Sequence, residues 1–229
     1  EDYMFAQLSD VYNKKDYTNA VKYFKKAIDY YNEEDDCTYY RQLEIYNQKA
    51  IILLLEKEFQ KAINYLDKSI NKSHQLQNKY MEAKALNYKG IVECHANNYD
   101  SALISWMDAI RITEKLGNYS TLICLYFNLS SLYLLQSDYN KAYEALKKAF
   151  LILEDINNPV QWSENFNVLF HNYLVCCLYL KLNEDIELLL KKYPQYKEFY
   201  QTLQSITDIK YFLCGQSMNY YGKDGYSFL

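Results

Sequence analysis

Asn47 and Asn87 lie forty residues apart, and Asn128 lies one position beyond the next step of that interval. A carboxamide side chain carries both a donor and an acceptor, so amides repeated at one spacing can pair with the N–H and C=O groups of an extended peptide without reading its sequence. Apolar and aromatic residues accompany them at Ile51, Tyr88, Ile91, Phe127 and Tyr173, and Lys84 lies three positions before Asn87. Alternate side chains of an extended strand point to opposite sides, so apolar pockets between amide rungs would read every second residue. The same asparagines could instead cap helices or hydrate a helix surface in an Asn-rich chain.

Other chemistry finds less support. Ser, His and acidic residues are scattered, and no Gly-rich phosphate loop is present, so no catalytic residue is expected and the chain is not read as an enzyme. The six cysteines (Cys37, Cys94, Cys124, Cys176, Cys177, Cys214) form no CxxC pair, and His74, His95 and His171 have no metal-ligand spacing. Buried, reduced thiols are expected, with no metal and no cofactor. The run Glu33, Glu34, Asp35, Asp36 reads as a solvated connection, and the sequons at Asn71, Asn118 and Asn128 as chance matches. Lys89 and Glu93 sit four apart, a spacing that allows an intrahelical ion pair of about 0.2 to 0.5 kcal/mol. With Lys84 and His95 close in sequence, the alternatives are a tolerant polar surface or an anchor for a peptide carboxylate.

The elements that must position these residues are helices. Five Gly and two Pro in 229 residues leave long stretches free of breakers, which favours an all-α chain. The formal net charge of -4 and the absence of a Lys/Arg cluster give nothing to neutralise a phosphate backbone, so no nucleic-acid contact is expected. No apolar run reaches membrane-spanning length and no basic-then-apolar leader opens the chain, so no membrane contact and a cytoplasmic location are expected.

The helices recur. Ala, a large apolar residue four positions on and a small residue three further on appear as Ala20, Phe24, Ala27; Ala62, Leu66, Ser69; Ala102, Trp106, Ala109; and Ala142, Leu146, Ala149. The alanines are separated by 42, 40 and 40 residues, and a second small residue precedes each at Ser9, Ala50, Gly90 and Ser130. Two antiparallel helices approach closely only where a side chain is small, and the large neighbours fill the space beside the crossing. A fixed period of such hairpins marks a solenoid whose core forms by stacking. Steps of the helical period from each small residue then mark one stripe per repeat: Glu44, Asn47, Ile51, Leu54; Lys84, Asn87, Ile91, Cys94; Cys124, Phe127, Ser131, Leu134; and Phe170 with Tyr173. On a concave face this would be an apolar surface unusual in contact with water.

The segments LSDVYNKKDYTNAVKYFKKAI, NQKAIILLLEKEFQKAINYLDKSI, NYKGIVECHANNYDSALISWMDAI and NLSSLYLLQSDYNKAYEALKKAF resemble the tetratricopeptide-repeat family. A degenerate fifth copy, LVCCLYLKLNEDIELLLKKYP, keeps apolar residues at Ile186 and Leu190 and ends at Pro194. The fold implied is an α-solenoid of about five hairpins over 1–194 (about 1–36, 37–78, 79–118, 119–158 and 159–194), a capping helix at 195–214 and a tail at 215–229. The arrangement also resembles the peptide-sensing domains of Gram-positive quorum-sensing receptors, the Rap, NprR and PlcR-like group. That resemblance implies a short, mostly apolar signalling peptide in the concave groove, homodimerisation, and an N-terminal output or DNA-binding domain outside this sequence. The peptide contacts expected are Asn47, Ile51, Lys84, Asn87, Tyr88, Ile91, Phe127, Asn128 and Tyr173. The alternative is a scaffold or co-chaperone module mediating protein–protein interaction. Apolar residues at Phe199, Leu203, Ile206 and Phe212 place self-association in the C-terminal part.

Overall fold

The computed structural model describes Lys22, Lys26, residues 39–156 and residues 163–205, and among these no strand occurs. The first repeat apart from its two lysines, the acidic run, Cys37, and Ile206, Phe212 and Cys214 lie outside the described residues. Two compact units are formed, Glu1–Leu116 and Gly117–Leu229.

In the first unit α1 (Tyr39–Leu55) pairs with α2 (Phe59–Gln75), and α3 (Lys79–His95) pairs with α4 (Tyr99–Leu116). Helix α3 also packs on α2 and touches α1. The small residues are where the spacing puts them: Ala50, Ala62, Leu66 and Ser69 have no exposed surface, nor do Ala102, Trp106 and Ala109. The tightest crossing joins the smallest residue to the largest. A Cβ added to Gly90 would lie 2.5 Å from Nε1 of Trp106, and that indole N–H donates to the Asn87 carbonyl at 3.2 Å.

The second unit pairs α5 (Tyr119–Leu135) with α6 (Tyr139–Ile156), sets α7 (Ser163–Tyr179) on α6, and α8 (Asn183–Lys192) on α7. Ser130, Ala142, Leu146 and Ala149 are fully buried. Pro194 opens a short 3-10 turn to Tyr196 that leads into α9 (Lys197–Ser205), the described part of the expected cap.

The turns follow a stricter period than the side chains. Lys57, Gln77, Asn97, Gly117 and Ser137, one every twenty residues, have φ of 61°, 53°, 61°, 63° and 60°, and Lys181 follows at 58°. After α1 the Lys57 amide donates to the Leu54 carbonyl at 2.9 Å and the Glu58 amide to that of Leu53 at 2.8 Å. This is the Schellman pairing, which satisfies the last carbonyls of a helix through one left-handed residue. The same two bonds close α2, α3, α5 and α7. The next helix is then capped: Asn78 accepts from the Met81 amide at 3.1 Å, Asn118 from that of Thr121 at 3.2 Å and Asp138 from that of Lys141 at 3.2 Å. Asn118 is thus an N-cap and Asn128 is buried, which gives two of the three sequons a structural role.

Candidate functional site

In the first unit the candidates lie on α1 and α3. Asn47 is fully buried, and neither its amide nitrogen nor its oxygen has a hydrogen-bond partner. Ile51, one turn further along α1, is half-buried. On α3, Asn87 is 8% exposed, and Tyr88 and Ile91 are buried. Lys84 is half-buried, and its ammonium donates to both carboxylate oxygens of Glu44 at 2.9 Å while lying 5.9 Å from the centre of the Tyr88 ring. Gln48 donates a further bond to Glu44 at 3.1 Å. The forty-residue spacing therefore becomes a contact: Glu44 and Lys84 occupy the same position in successive repeats and join α1 to α3.

In the second unit the candidates are packed more deeply. Phe127 and Asn128 are buried on α5, where the Phe127 carbonyl accepts from the hydroxyls of Ser130 at 2.7 Å and Ser131 at 3.1 Å. Tyr173 of α7 stacks on Tyr143 with ring centres 5.3 Å apart and tilts against Phe150 at 4.9 Å. The Tyr143 hydroxyl donates to Asp185 at 2.7 Å and accepts from Lys147 at 3.3 Å. Burial, and secondarily the bond to Tyr143, pushes the Tyr173 phenol far above its ordinary value, so it stays protonated.

The expected exposed apolar stripe is mostly interior. Leu54, Ile91, Cys94, Phe127, Ser131, Leu134, Phe170 and Tyr173 are buried, and only Glu44, Ile51, Lys84 and Cys124 are partly open. In the first unit α1 and α3 come close enough for the Glu44 and Lys84 side chains to bond. Burial pushes the thiols of Cys94 and Cys177 up to about 11 and about 12, so they are poor nucleophiles at neutral pH.

Lys89 and Glu93 do not bond to each other, a correction to the intrahelical pair. Lys89 donates to Asp67 of α2 at 2.7 Å, and Glu93 accepts from the Ser105 hydroxyl of α4 at 2.7 Å. The pairing runs between helices because α3 packs between α2 and α4, which brings a part-exposed Asp67 to Lys89 and a buried Ser105 to Glu93. Lys84 and Lys89 thus both face protein carboxylates, and burial lowers His95, favouring its neutral form. None of these three offers an uncompensated charge to a peptide carboxylate. The ties missed from sequence, Asp67, Ser105 and Asp185, carry no spacing signal; the Gly90–Trp106 pair does, as the smallest and largest residues of one repeat. Among the described residues no group of His, Cys, Asp and Glu could hold a metal ion, and no helix is long and apolar enough to cross a membrane.

A tetratricopeptide-repeat family profile matches residues 81–155, and a second matches residues 5–34. Among solved structures, BtubC (BKLC) from P. vanneervenii superposes with a TM-score of 0.67 at 13% identity, over 90% of this chain and 82% of that one. Aspartyl phosphate phosphatase F from Bacillus subtilis gives 0.61 at 16% identity, over 95% and 58%. A Rap protein complexed with Competence and Sporulation Factor gives 0.58 at 21% identity, over 93% and 64%. The chain therefore spans about three fifths of the phosphatase and Rap chains it matches. No curated protein matches the sequence. The fold is the tetratricopeptide-repeat α-solenoid, which the Rap structures share.

Proposed function

We propose that the chain is the peptide-binding regulatory module of a cytoplasmic signalling-peptide receptor, of the kind used in quorum sensing, acting as a homodimer and coupled to an output or transcription-regulating domain. Its role is binding rather than catalysis. The ligand is a short, mostly apolar peptide held in extended form along the first helices of the hairpins. The contacts proposed in the first unit are Asn47, Ile51, Lys84, Asn87, Tyr88 and Ile91, and those proposed in the second are Phe127, Asn128 and Tyr173. A structural neighbour solved with Competence and Sporulation Factor supports a role of this type.

The observation that carries it is the Asn47 amide, buried with its donor and its acceptor both unpaired. Such a group destabilises the free protein by about 1 to 3 kcal/mol, and a ligand backbone supplies both missing bonds. Access comes by displacing the side chains that cover it, between half-buried Glu44 and Ile51, which stand about one turn to either side along α1. A residue retained for a ligand at the expense of the fold makes an opposed pair of expectations. Asn47→Leu should raise the thermal midpoint, because an apolar group of similar size replaces an unpaired amide. The same variant should lose about 5- to 150-fold in affinity. Calorimetric titration with a library of end-capped apolar peptides, alongside thermal melts, measures both. Unchanged affinity removes Asn47 from the site. Capture of a folded partner with no peptide bound supports the scaffold reading instead.

A further inference from the structure

The Glu44–Lys84 pair bears on which peptides the first unit accepts. Lys84 has three N–H donors, and two are engaged by the two oxygens of Glu44. Glu44 in turn holds a third bond from Gln48, so the carboxylate is the better-fixed member. Both side chains are one quarter exposed, which makes the pair a partly open polar point on α1 and α3, near Asn47 and Asn87 in sequence. Its net charge is zero. The remaining N–H of Lys84 is available to an acceptor, and the Tyr88 ring lies beneath the ammonium at 5.9 Å.

We infer that Glu44 and Lys84 form a charge-neutral rung that makes this face selective for an uncharged peptide segment, with the third N–H of Lys84 offered to a backbone carbonyl. The inference rests on the peptide reading and names the ligand class for it. An Asp or Glu side chain at the rung meets the fixed Glu44 carboxylate; a Lys or Arg meets the Lys84 ammonium. Either charge is partly desolvated and finds no uncompensated opposite charge, whereas a carbonyl needs one donor and brings no charge.

The test uses capped hexapeptides, N-acetylated and C-amidated, in matched sets that are wholly uncharged, carry one Asp, or carry one Lys. Affinities are measured for wild type, Glu44→Gln, Lys84→Met and the exchanged pair Glu44→Lys with Lys84→Glu. Wild type should prefer the uncharged set, with little dependence on salt. Glu44→Gln leaves Lys84 uncompensated and should shift preference toward the Asp set by roughly tenfold, and Lys84→Met should shift it equally toward the Lys set. The exchanged pair keeps neutrality and should retain the wild-type preference, which serves as the second readout if a single variant loses its helical circular dichroism. Peptide binding with the same charge preference in every protein overturns the inference and leaves the peptide reading intact. Binding of no peptide by any protein overturns both.

Discussion

The two units are joined internally by different chemistry. In the first, α3 is tied to its neighbours by Lys84 to Glu44, Lys89 to Asp67 and Glu93 to Ser105, with the Gly90–Trp106 contact as an aromatic key. In the second, α7 is held by rings. Tyr139 stacks on Tyr179 with centres 3.6 Å apart, Tyr143 on Tyr173, Phe170 on Tyr196 at 3.8 Å and His171 on Phe199 at 3.7 Å. The same hairpin repeat can thus be cemented by directional polar bonds or by large apolar area. The first kind depends on salt and proton concentration; the second depends on shape.

The contrast is broken most directly by removing a ring. Phe170 is fully buried between Phe150, Tyr193 and Tyr196, so Phe170→Ala should cost about 3 to 5 kcal/mol. Hydrogen exchange should show protection lost over α7–α9 while α1–α4 keep theirs; equal loss in both units would mean that the rings are not a local cement. Next in size is overpacking. Gly90→Ala drives a methyl group into the Trp106 indole, and Ala142→Leu does the same at a crossing of the second unit; each should cost about 1 to 3 kcal/mol in its own unit. A thermal midpoint unchanged by Gly90→Ala would show that Trp106 has room to move.

Salt sharpens the comparison. The pairs of Lys84 and Lys89 are partly exposed, so raising sodium chloride from about 0.05 to about 1 M should weaken the first unit by about 0.2 to 1 kcal/mol. In the second unit the exposed Lys192–Glu154 pair of α8 and α6 should weaken as well, while the ring-held α7 keeps its protection. Protons give the smallest effect and the clearest difference of sign. Burial raises Glu93 above the ordinary Glu value, with the Ser105 bond opposing, so the folded chain holds this proton more tightly than the unfolded one. Its contribution is therefore greatest at low pH and falls as pH rises from the ordinary value through the raised one. Asp138 of the second unit is held below its ordinary value chiefly by the Lys141 side chain, so its contribution is present at neutral pH and lost on acidification. Burial lowers His95 and His171 alike, so one histidine in each unit opposes acidification and the two do not disturb the contrast. Glu93→Gln should remove the opposite slope from the first unit; an unaltered pH profile there would assign the slope to another group.

Much of the fold was legible because it rests on side-chain volume at fixed spacing. Ala50, Gly90 and Ser130 had to be small, as did Ala62, Ala102 and Ala142; all are buried, and all but Gly90 are without exposed surface. The turns were not legible in the same way: Lys57, Gln77 and Ser137 adopt the left-handed conformation with no glycine to announce it, because the Schellman bonds and the helices on either side hold them there. Of the candidate site, Asn47 and Asn87 could be placed from the period, but the burial of their neighbours could not. The stripe was drawn on isolated helices, whereas in the first unit α3 packs against α1 one repeat away. Lys89 looked like half of an i,i+4 pair and turned instead to Asp67, a partner twenty-two residues back that only tertiary packing brings near.

The twenty-residue beat of left-handed turns has a consequence for how the chain reaches this state. The principal packings in the first unit join helices that follow one another or stand one repeat apart, so forming each requires closing only a short loop. Low contact order of this kind favours fast folding, on the microsecond to millisecond scale of helical bundles. Any hairpin can serve as the nucleus and the rest can add outward, so the order of events is set by which hairpin is locally strongest rather than by topology. The α3–α4 hairpin, with Trp106 locked over Gly90 and capped by Asn78, is placed to be that nucleus, and the buried indole makes its closure visible as a change in fluorescence.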